Sequence, residues 1–524
     1  YAQWTGDNYF LRGSYSITDG ESSTLSSDIT ANYTGQFGKH MLLANAAWSL
    51  SSNTSNSHGM TAWGFLNNHV DDISFARQYE ENGRPSGSEA TSRSIGITGA
   101  VNYSYDDRYM ADLSLRYNGS SVFGSDNRWG TFWSVGLGWN LHNEDFIKRL
   151  GFINLMKLRA SYGLTGNQNF NPYQAKATYN FYSDVVYDNI VGAYLMAMAN
   201  DQLKWQQTAD LNIGLDLQLF NNFNLVIDVY RSKTKDALLA MTLPTSTGFS
   251  SYQENLGNVE NKGFDATMNW RFFHTDDSWA SLNFSVGHNV NKITKINEAL
   301  RSFNEEQETD QAENETTSPI IRYEEGQSMT AIWAVQSLGI DPATGEELFL
   351  KKDGKTTTYD WSSDDYIVAG DSNPKYHGNF GLSGEYKGIG LTCSFSYKLG
   401  GDYYNQTLVD RVENVDIANN VDRRVLSDTW QKAGDVAKFK HIDSSPSTTY
   451  PTTRFVEKNN ELQFASLSCY YDFKYQPWLQ KIKLERLKLS FYMNDLFRVS
   501  TVKTERGLDY PYARSFSFQL SATF

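Results

Sequence analysis

The chain has 524 residues and a formal net charge of −14, whereas a protein that binds nucleic acid usually carries a basic patch or stripe. Aromatic residues make up 14% of the sequence and there are only 10 prolines, a composition unlike that of a disordered segment. The longest apolar run, 190–199, is about half of the ~20 residues that a membrane-spanning helix needs, and two cysteines are too few for a disulfide scaffold. Nucleic-acid binders, disordered tails, helical membrane proteins and disulfide-rich domains are therefore excluded.

Apolar and polar residues alternate with period two along most of the chain. In the last segment, Phe516, Phe518 and Leu520 alternate with Ser517 and Gln519, which places the two sets on opposite faces of a strand. The same pattern predicts about fifteen strands, over 25–35, 39–51, 94–105, 108–119, 130–142, 153–164, 208–220, 223–235, 262–273, 280–293, 376–386, 389–400, 461–474, 484–496 and 513–524.

The predicted strands are long, and their connections alternate between short and long. Most of the segments exceed the ~5–6 residues typical of globular strands and suit a tilted strand that crosses a bilayer, which needs ~9–11 residues. Outer-membrane barrels have short periplasmic turns and longer extracellular loops. The sequence therefore predicts an all-β fold, a transmembrane antiparallel β-barrel, with long extracellular loops over 52–93, 165–207, 236–261, 294–375 and 401–460.

The strand count indicates that the barrel has a further part. Fifteen is an odd number, whereas bacterial single-chain barrels have even numbers of strands. The alternation of connections makes the first strand run inward, so an odd number of strands should precede Tyr1. Seven more would give twenty-two, the size of plugged outer-membrane transporters. We therefore expect residues 1–524 to be the C-terminal part of one β-barrel domain, with the plug and the N-terminal strands outside this chain.

An ordered series of short blocks resembles the SusC/RagA family of TonB-linked outer-membrane proteins. The first and most extended block is 108–124 (RYMADLSLRYNGSSVFG). The others follow in the family's order: 128–132 (RWGTF), 155–167 (LMKLRASYGLTGN), 203–205 (LKW), 212–216 (NIGLD), 255–263 (NLGNVENKG), 339–345 (GIDPATG), 374–378 (PKYHG), 450–454 (YPTTR) and 509–511 (DYP). A single block carries little weight, but the ordered series is specific.

The resemblance implies a function and a set of partners. It implies active import, across the outer membrane of a Gram-negative bacterium of the Bacteroidota type, of a nutrient too large for porins, either an oligosaccharide or a peptide. It also implies a SusD-like lipoprotein lid and contact with the TonB complex through an N-terminal region outside this chain. The barrel surface would contact outer-membrane lipid. The alternative hypothesis is a passive channel or a surface adhesin built on the same barrel.

The sequence contains no arrangement typical of an enzyme or a metal site. The eight histidines are scattered and none forms a His-x-x-x-His pair, so we expect neither catalytic residues nor metal ligands, and no cofactor. Residues 304–316 contain six acidic side chains. We interpret them as a solvated, mobile loop tip. The alternative is a calcium or lipoprotein contact, although the fixed turn glycine of calcium loops is missing.

Aromatic residues in the long loops are the candidates for substrate contact. Tryptophan and tyrosine offer an apolar face and a polar tip, which suits sugars and peptides. The candidates are Trp333, Trp361, Tyr403 and Tyr404. The alternative interpretation is that these side chains pack the loops together or contact a lid.

Overall fold

A computed structural model describes residues 13–65, 69, 72–79, 84–167, 172–173, 175–188, 190–197, 199–242, 251–415, 421–442, 448–503 and 513–524. The strands are β1 (Ser14–Phe37), β2 (His40–Trp63), β3 (Gln78–Tyr79), β4 (Ser86–Tyr105), β5 (Tyr109–Ser120), β6 (Trp129–Asn140), β7 (Ile153–Asn167), β8 (Thr178–Tyr187), β9 (Ile190–Ala197), β10 (Gln206–Leu219), β11 (Phe223–Thr242), β12 (Ser251–Thr275), β13 (Ser278–Ile296), β14 (Ala331–Ile340), β15 (Glu347–Leu350), β16 (Thr357–Thr358), β17 (Tyr366–Asp371), β18 (Tyr376–Tyr386), β19 (Ile389–Tyr404), β20 (Val456–Asp472), β21 (Arg486–Ser500) and β22 (Phe516–Thr523).

Helices occupy little of the chain. The α-helices are α1 (Asp145–Lys148), α2 (Glu298–Glu313), α3 (Gln406–Leu408), α4 (Arg424–Ser427) and α5 (Trp478–Lys481). Single turns of 3-10 or π helix lie at Ile73–Phe75, Leu141–Asn143, Ser363–Asp365, Val409–Glu413, Thr453–Phe455 and Phe473–Tyr475. No helix within the described ranges is both long and apolar enough to cross a membrane.

One large antiparallel sheet contains all fifteen strands that the sequence predicts. Its order is β1-β2-β4-β5-β6-β7-β10-β11-β12-β13-β18-β19-β20-β21-β22, and β3 pairs with β2. Strands that follow one another along this path are neighbours in the sheet, as in an up-and-down barrel. The predicted fold class is confirmed.

Short turns join the strands along one edge of the sheet, which we call the turn edge; the opposite edge is the loop edge. At the turn edge Tyr386 pairs with Ile389, so only Lys387 and Gly388 connect β18 to β19. Both have positive φ, 46° and 90°, the conformation of the two-residue hairpins whose twist matches that of the sheet.

Several strands extend far beyond their predicted ends, always at the loop edge. β1 and β2 each have 24 residues and pair in unbroken register from Phe37–His40 to Ser14–Trp63. Residues 51–59 of β2 are all polar or glycine, so alternation stops there although the backbone ladder continues. A sheet with water on both faces needs no apolar face.

This extension corrects the predicted bounds of the loops. Strands occupy both ends of 52–93, and β11 and β12 occupy most of 236–261. The hairpin β8–β9 lies within 165–207, and the loops 294–375 and 401–460 lose their ends to β13, β19 and β20. Length and polarity indicated loops at these positions, but paired polar strands have the same composition.

The two faces of the sheet differ in polarity, as predicted. Leu113 pairs with Val135 and Leu115 with Trp133, and these four side chains are 38–54% exposed on one face. The apolar face continues through Ile97 and Tyr117, which also pair. Large apolar side chains left outside a core mark a surface that meets another apolar phase, which for a barrel is lipid.

The loop 294–375 is folded rather than extended. It contains α2 and a separate four-stranded sheet in the order β16-β15-β14-β17. The interpretation of 304–316 as a mobile acidic tip is wrong in the structure, because most of this segment belongs to α2. Its acidic side chains line the helix, while Leu300, Asn304 and Gln311 are buried against the rest of the loop.

The last strand provides a test of the barrel. β22 pairs with β21 from Arg486–Thr523 to Met493–Phe516. Deletion of 516–524 would leave that edge of β21 unpaired in lipid, at a cost of several kcal/mol for each unsatisfied backbone group. We expect the complete protein without residues 516–524 to fail to insert into the outer membrane. The measurement is the loss of heat-modifiable migration in gels of membrane fractions.

The matched control keeps the backbone and the apolar face of β22. Ser517→Ala with Gln519→Ala changes only the other face of the strand, so this variant should insert normally. Normal insertion of the truncated protein would show that β22 does not close the barrel.

Candidate functional site

The polar face of the sheet carries a charged cluster centred on Arg159 of β7. Its Nη2 lies 2.7 Å from Oδ2 of Asp228 on β11, and its Nε lies 3.3 Å from Oδ1 of Asp216 on β10. The ion pairs join side chains from three neighbouring strands on one face of the sheet. A polar lining of this kind is typical of a barrel lumen.

Gly214 makes this arrangement possible. It lies on β10 directly between Arg159 and Asp228 in the ladder, and a Cβ at this position would be 2.4 Å from Cζ of Arg159. The arginine therefore crosses the central strand over a residue without a side chain.

Above the loop edge, the two longest connections form one folded body, which we call the loop unit. It consists of the described parts of 297–375, between β13 and β18, and of 405–455, between β19 and β20. These four strands are consecutive neighbours in the sheet, so the two connections leave it side by side. Two clusters of buried apolar side chains hold the loop unit together: Ile332, Tyr404, Val409, Val412, Val425, Phe439 and Phe455 in one, and Trp333, Val335, Phe349 and Tyr366 in the other.

The block 450–454 joins the two connections. The carbonyl oxygen of Pro451 accepts hydrogen bonds from Val335 N at 3.1 Å and from Trp361 Nε1 at 3.2 Å. Tyr450 stacks on Trp361, with ring centroids 4.4 Å apart, and Thr453 Oγ1 accepts from Ser337 N. A short block that resembles a family motif thus supplies a row of contacts to β14 and its neighbours.

Arg454 ends this row with a buried ion-pair network. Its Nη2 lies 2.7 Å from Oε2 of Glu347 and 2.6 Å from Oε1 of Glu413, and the carboxylates are 3% and 1% exposed. Its Nη1 also donates to the carbonyl oxygen of Lys438 at 2.7 Å. Burial alone would lower the pKa of Arg454, but the hydrogen bonds and charges of the two carboxylates outweigh it and raise the pKa.

Lys440 is a second basic residue close to the network, and its pKa is lowered. Burial lowers its pKa, and the charges of Glu413 and Glu347 act in the opposite direction. Two cations and two carboxylates from both connections therefore lie together inside the loop unit. Charges are buried at acceptable cost only when they are paired and hydrogen-bonded, as Arg454, Glu347 and Glu413 are.

A second junction involves the block 339–345. Trp430 Nε1 donates to the carbonyl oxygen of Pro342 at 3.0 Å, and His441 N donates to that of Gly345 at 3.1 Å. Gly345 has a φ of 78°, and a Cβ there would be 2.5 Å from the Trp430 ring. Glycine is required at this turn for both reasons.

Helix α2 is fixed to the loop unit by buried amides. Asn304 Nδ2 donates to the carbonyl oxygen of Tyr323 at 2.7 Å, and Tyr323 N donates back to Asn304 Oδ1 at 2.9 Å. Gln311 Nε2 donates to two backbone carbonyl oxygens, and Gln311 Oε1 accepts from the hydroxyl of Tyr366. These contacts explain why so acidic a segment is ordered as a helix.

A smaller junction lies at the loop edge of β5 and β6. Trp205 stacks on Phe123 with centroids 4.1 Å apart, and its ring edge meets Phe132. Leu203 is fully buried, and its carbonyl oxygen accepts from Gly124 N at 3.1 Å. The blocks 108–124, 128–132 and 203–205 therefore meet in space.

The structure places the four candidate aromatics at the loop edge, but in different surroundings. Trp333 is 2% exposed and donates through Nε1 to the carbonyl oxygen of Arg322, while Tyr404 is 9% exposed and packs with Phe455. Trp361 and Tyr403 are half-buried. For Trp333 and Tyr404 the packing interpretation is favoured, because a buried ring cannot meet a ligand.

The sequence interpretation missed the residues that hold the loop unit together. Arg454 is 107 positions from Glu347, and in the sequence each residue resembles an ordinary charged surface residue. One feature of the sequence did indicate structure in these loops. The family-like blocks 339–345 and 450–454 lie inside predicted loops, outside any predicted strand. Within the described residues no group of three or more potential metal ligands occurs. The block 509–511 lies outside those residues.

The Arg454 network gives a quantitative prediction. Arg454→Met would leave Glu347 and Glu413 buried without their main partner, which typically costs ~3–5 kcal/mol. We expect faster hydrogen exchange and proteolysis throughout 331–350 and 405–415, while the barrel strands stay protected.

Arg424→Met is the matched control. Arg424 pairs with Asp422 two residues away, and both are partly exposed, so this pair should contribute ~0–1 kcal/mol. Equal protection of the loop unit in Arg454→Met and Arg424→Met would show that the buried network is not needed for its fold.

Comparison with known proteins agrees with this architecture. The model of the family described as "TonB dependent receptor-like, beta-barrel" matches residues 1–319. TonB-dependent receptor P39 of Formosa agariphila is 25% identical over 89% of this chain and 48% of its own length. TonB-dependent receptor SusC of Bacteroides thetaiotaomicron is 27% identical over 82% of this chain and 44% of its own length.

A solved structure shows the same fold. The structure of the RagAB peptide transporter superposes with a TM-score of 0.81 at 23% identity, over 93% of this chain and 53% of that one. The chain spans about half the length of the relatives it matches. Because the family model covers more than half of this sequence, the chain belongs to the TonB dependent receptor-like, beta-barrel family.

Proposed function

We propose that the whole protein imports a large nutrient across the outer membrane, with energy supplied through TonB. Membership of the TonB dependent receptor-like family carries this proposal. The SusC relative and the fold shared with the RagAB peptide transporter favour an oligosaccharide or a peptide as cargo. The source would be a Gram-negative bacterium of the Bacteroidota type.

The sheet also supports a larger barrel with a plug. β1 pairs only with β2 and β22 only with β21 among the described strands, and unpaired backbone is not tolerated in lipid. We propose that strands outside this chain, seven if the total is twenty-two, pair with both edges. The charged cluster around Arg159 suits a lumen that holds water or a plug domain, since water or polar groups can satisfy its charges.

A SusD-like lipoprotein lid is the partner that we propose for the loop unit. The loop unit buries many apolar side chains, yet Val436 is 93% exposed and Leu426 is 69% exposed on its surface. Exposed apolar side chains are common at surfaces that another protein covers. The cargo would lie between the lid and the barrel, near Trp361 and Tyr403.

Uptake measurements test the energy source and the lid together. Cells that express the full-length protein together with the proposed SusD-like lipoprotein should accumulate labelled oligosaccharide or peptide. Because the outer membrane has no ATP, uphill transport requires coupling to the inner membrane. Deletion of TonB should therefore reduce uptake at least tenfold, and deletion of the lipoprotein should also reduce it.

The other outcomes identify the alternative functions. Uptake that is unchanged without TonB would indicate a passive channel. Surface binding of cargo with no uptake in any strain would indicate an adhesin. Purification of the full-length protein without any lipoprotein, under mild detergent, would reject the lid.

The half-buried Trp361 provides a test of cargo contact. Trp361→Ala should weaken the apparent affinity for cargo about 2- to 10-fold, since an aromatic contact is worth ~0.5–1.5 kcal/mol. Trp361→Phe keeps an aromatic face and should retain most of the affinity. Trp333→Ala, in contrast, should open the loop unit to proteolysis, because removal of a buried aromatic side chain costs ~3–5 kcal/mol. An unchanged affinity in Trp361→Ala would exclude this residue from the cargo site.

A further inference from the structure

A groove lies on the outer wall of the barrel, at the loop-edge ends of β5 and β6 and beside the middle of β2 and β4. It has a volume of about 380 Å³, within the ~300–1,000 Å³ range of ligand pockets. Its apolar lining includes Leu50, Ile95 and Trp129, and its polar lining includes Arg93 and Arg128.

The register shows that this groove faces lipid rather than the lumen. Leu50 pairs with Ile95, Ile95 with Gly119, and Gly119 with Trp129, so these four positions share one face. The next rung on the same face contains Ile97 and Tyr117, which are 54% and 43% exposed on the apolar face. The groove therefore continues the apolar surface of the barrel.

The groove also lies at the height of the lipid headgroups. From Tyr109 at the turn edge to Gly119, β5 rises ~34 Å at ~3.4 Å per residue. A strand tilt of ~35–45° reduces this to about 25 Å, which is the height of the apolar band of an outer-membrane barrel. Tyr117 and Trp129 stack with centroids 4.9 Å apart, as expected for the aromatic girdle at this boundary.

Two arginines at this boundary have no acidic partner among the residues that the structure describes. Arg93 alternates with Ser94, and so lies on the same face as Ile95, while its backbone N–H donates to Ser121 Oγ at 2.9 Å. Arg93 and Arg128 are exposed, and among the described residues neither guanidinium has an acidic partner within 4.0 Å. In a chain with a net charge of −14, these two arginines line the same groove, where an anion from outside the protein can neutralise them.

We propose that this groove binds a phosphorylated lipid of the outer leaflet. Arg93 and Arg128 hold the phosphate, because the guanidinium fork matches phosphate oxygens, and an acyl chain lies along Leu50, Ile95 and Trp129. Gly119 shapes the groove, since a Cβ there would be 2.8 Å from the Trp129 ring. The proposal rests on the outer-membrane location of the barrel and is independent of its transport activity.

The first test compares lipid retained by the full-length protein. The protein is purified in mild detergent, and bound lipid is counted by native mass spectrometry with phosphate analysis. Arg93→Gln with Arg128→Gln should reduce retained phosphorylated lipid at least tenfold. Lys148→Gln with Arg149→Gln removes the same charge at the turn edge and should change nothing. Heat-modifiable migration confirms that each variant has inserted.

A second variant and added lipid make the result decisive. Gly119→Leu keeps both arginines but displaces Trp129, and should also lower retention. After delipidation, a phosphorylated diacyl lipid should rebind to the wild type, while neutral diacylglycerol and inorganic phosphate should not compete with it.

Equal retention in the double arginine variant, or equal binding of neutral lipid, would overturn the proposal. Full competition by inorganic phosphate would reassign the groove to free anions. A dimer that dissociates in the double variant, with lipid unchanged, would assign this face to a second copy.

Discussion

The requirement that backbone N–H and C=O groups be paired inside a hydrocarbon layer determines most of this structure. Within lipid no water can replace a missing partner, so each strand must pair along its whole length. The ladder from β1 to β22 meets this requirement by joining each strand to its predecessor in the sheet, with few irregularities. The period-two pattern has the same origin. A sheet between lipid and a wet lumen presents apolar side chains to the lipid and polar side chains to the lumen, and these alternate along each strand.

The loop unit follows different rules because water surrounds it. There, hydrogen bonds are exchanged with solvent at little net cost, and the fold depends on side chains that match in shape and charge. Pro451, Arg454 and Gly345 fix the two connections to each other at defined points. Buried ion pairs add limited stability but penalise wrong arrangements strongly, which suits a body that must assemble from two distant segments.

The same contrast explains what the sequence could and could not reveal. Alternation located all fifteen barrel strands. It nevertheless placed the end of β2 near residue 51, because the residues that continue the strand toward Trp63 are mostly polar and no longer alternate. Among the aromatic candidates, composition could not distinguish the buried Trp333 from the half-buried Trp361. The contact between Arg454 and Glu347 spans 107 positions, and no local pattern encodes it. The helix α2 was missed because Asn304 and Gln311, which it buries beside Leu300, are polar.

The loop unit is built from two connections that lie on either side of the β18–β19 hairpin. The buried charge network takes Glu347 from the first connection and Glu413, Lys440 and Arg454 from the second, so neither connection has a complete interior of its own. Recombination between related genes that exchanged only one connection would separate Arg454 from Glu347 and Trp430 from Gly345. Exchange of the whole region from β13 to β20 would keep every partner. The genetic unit in which such a surface can diversify is therefore a stretch of about four strands with both connections, rather than a single loop.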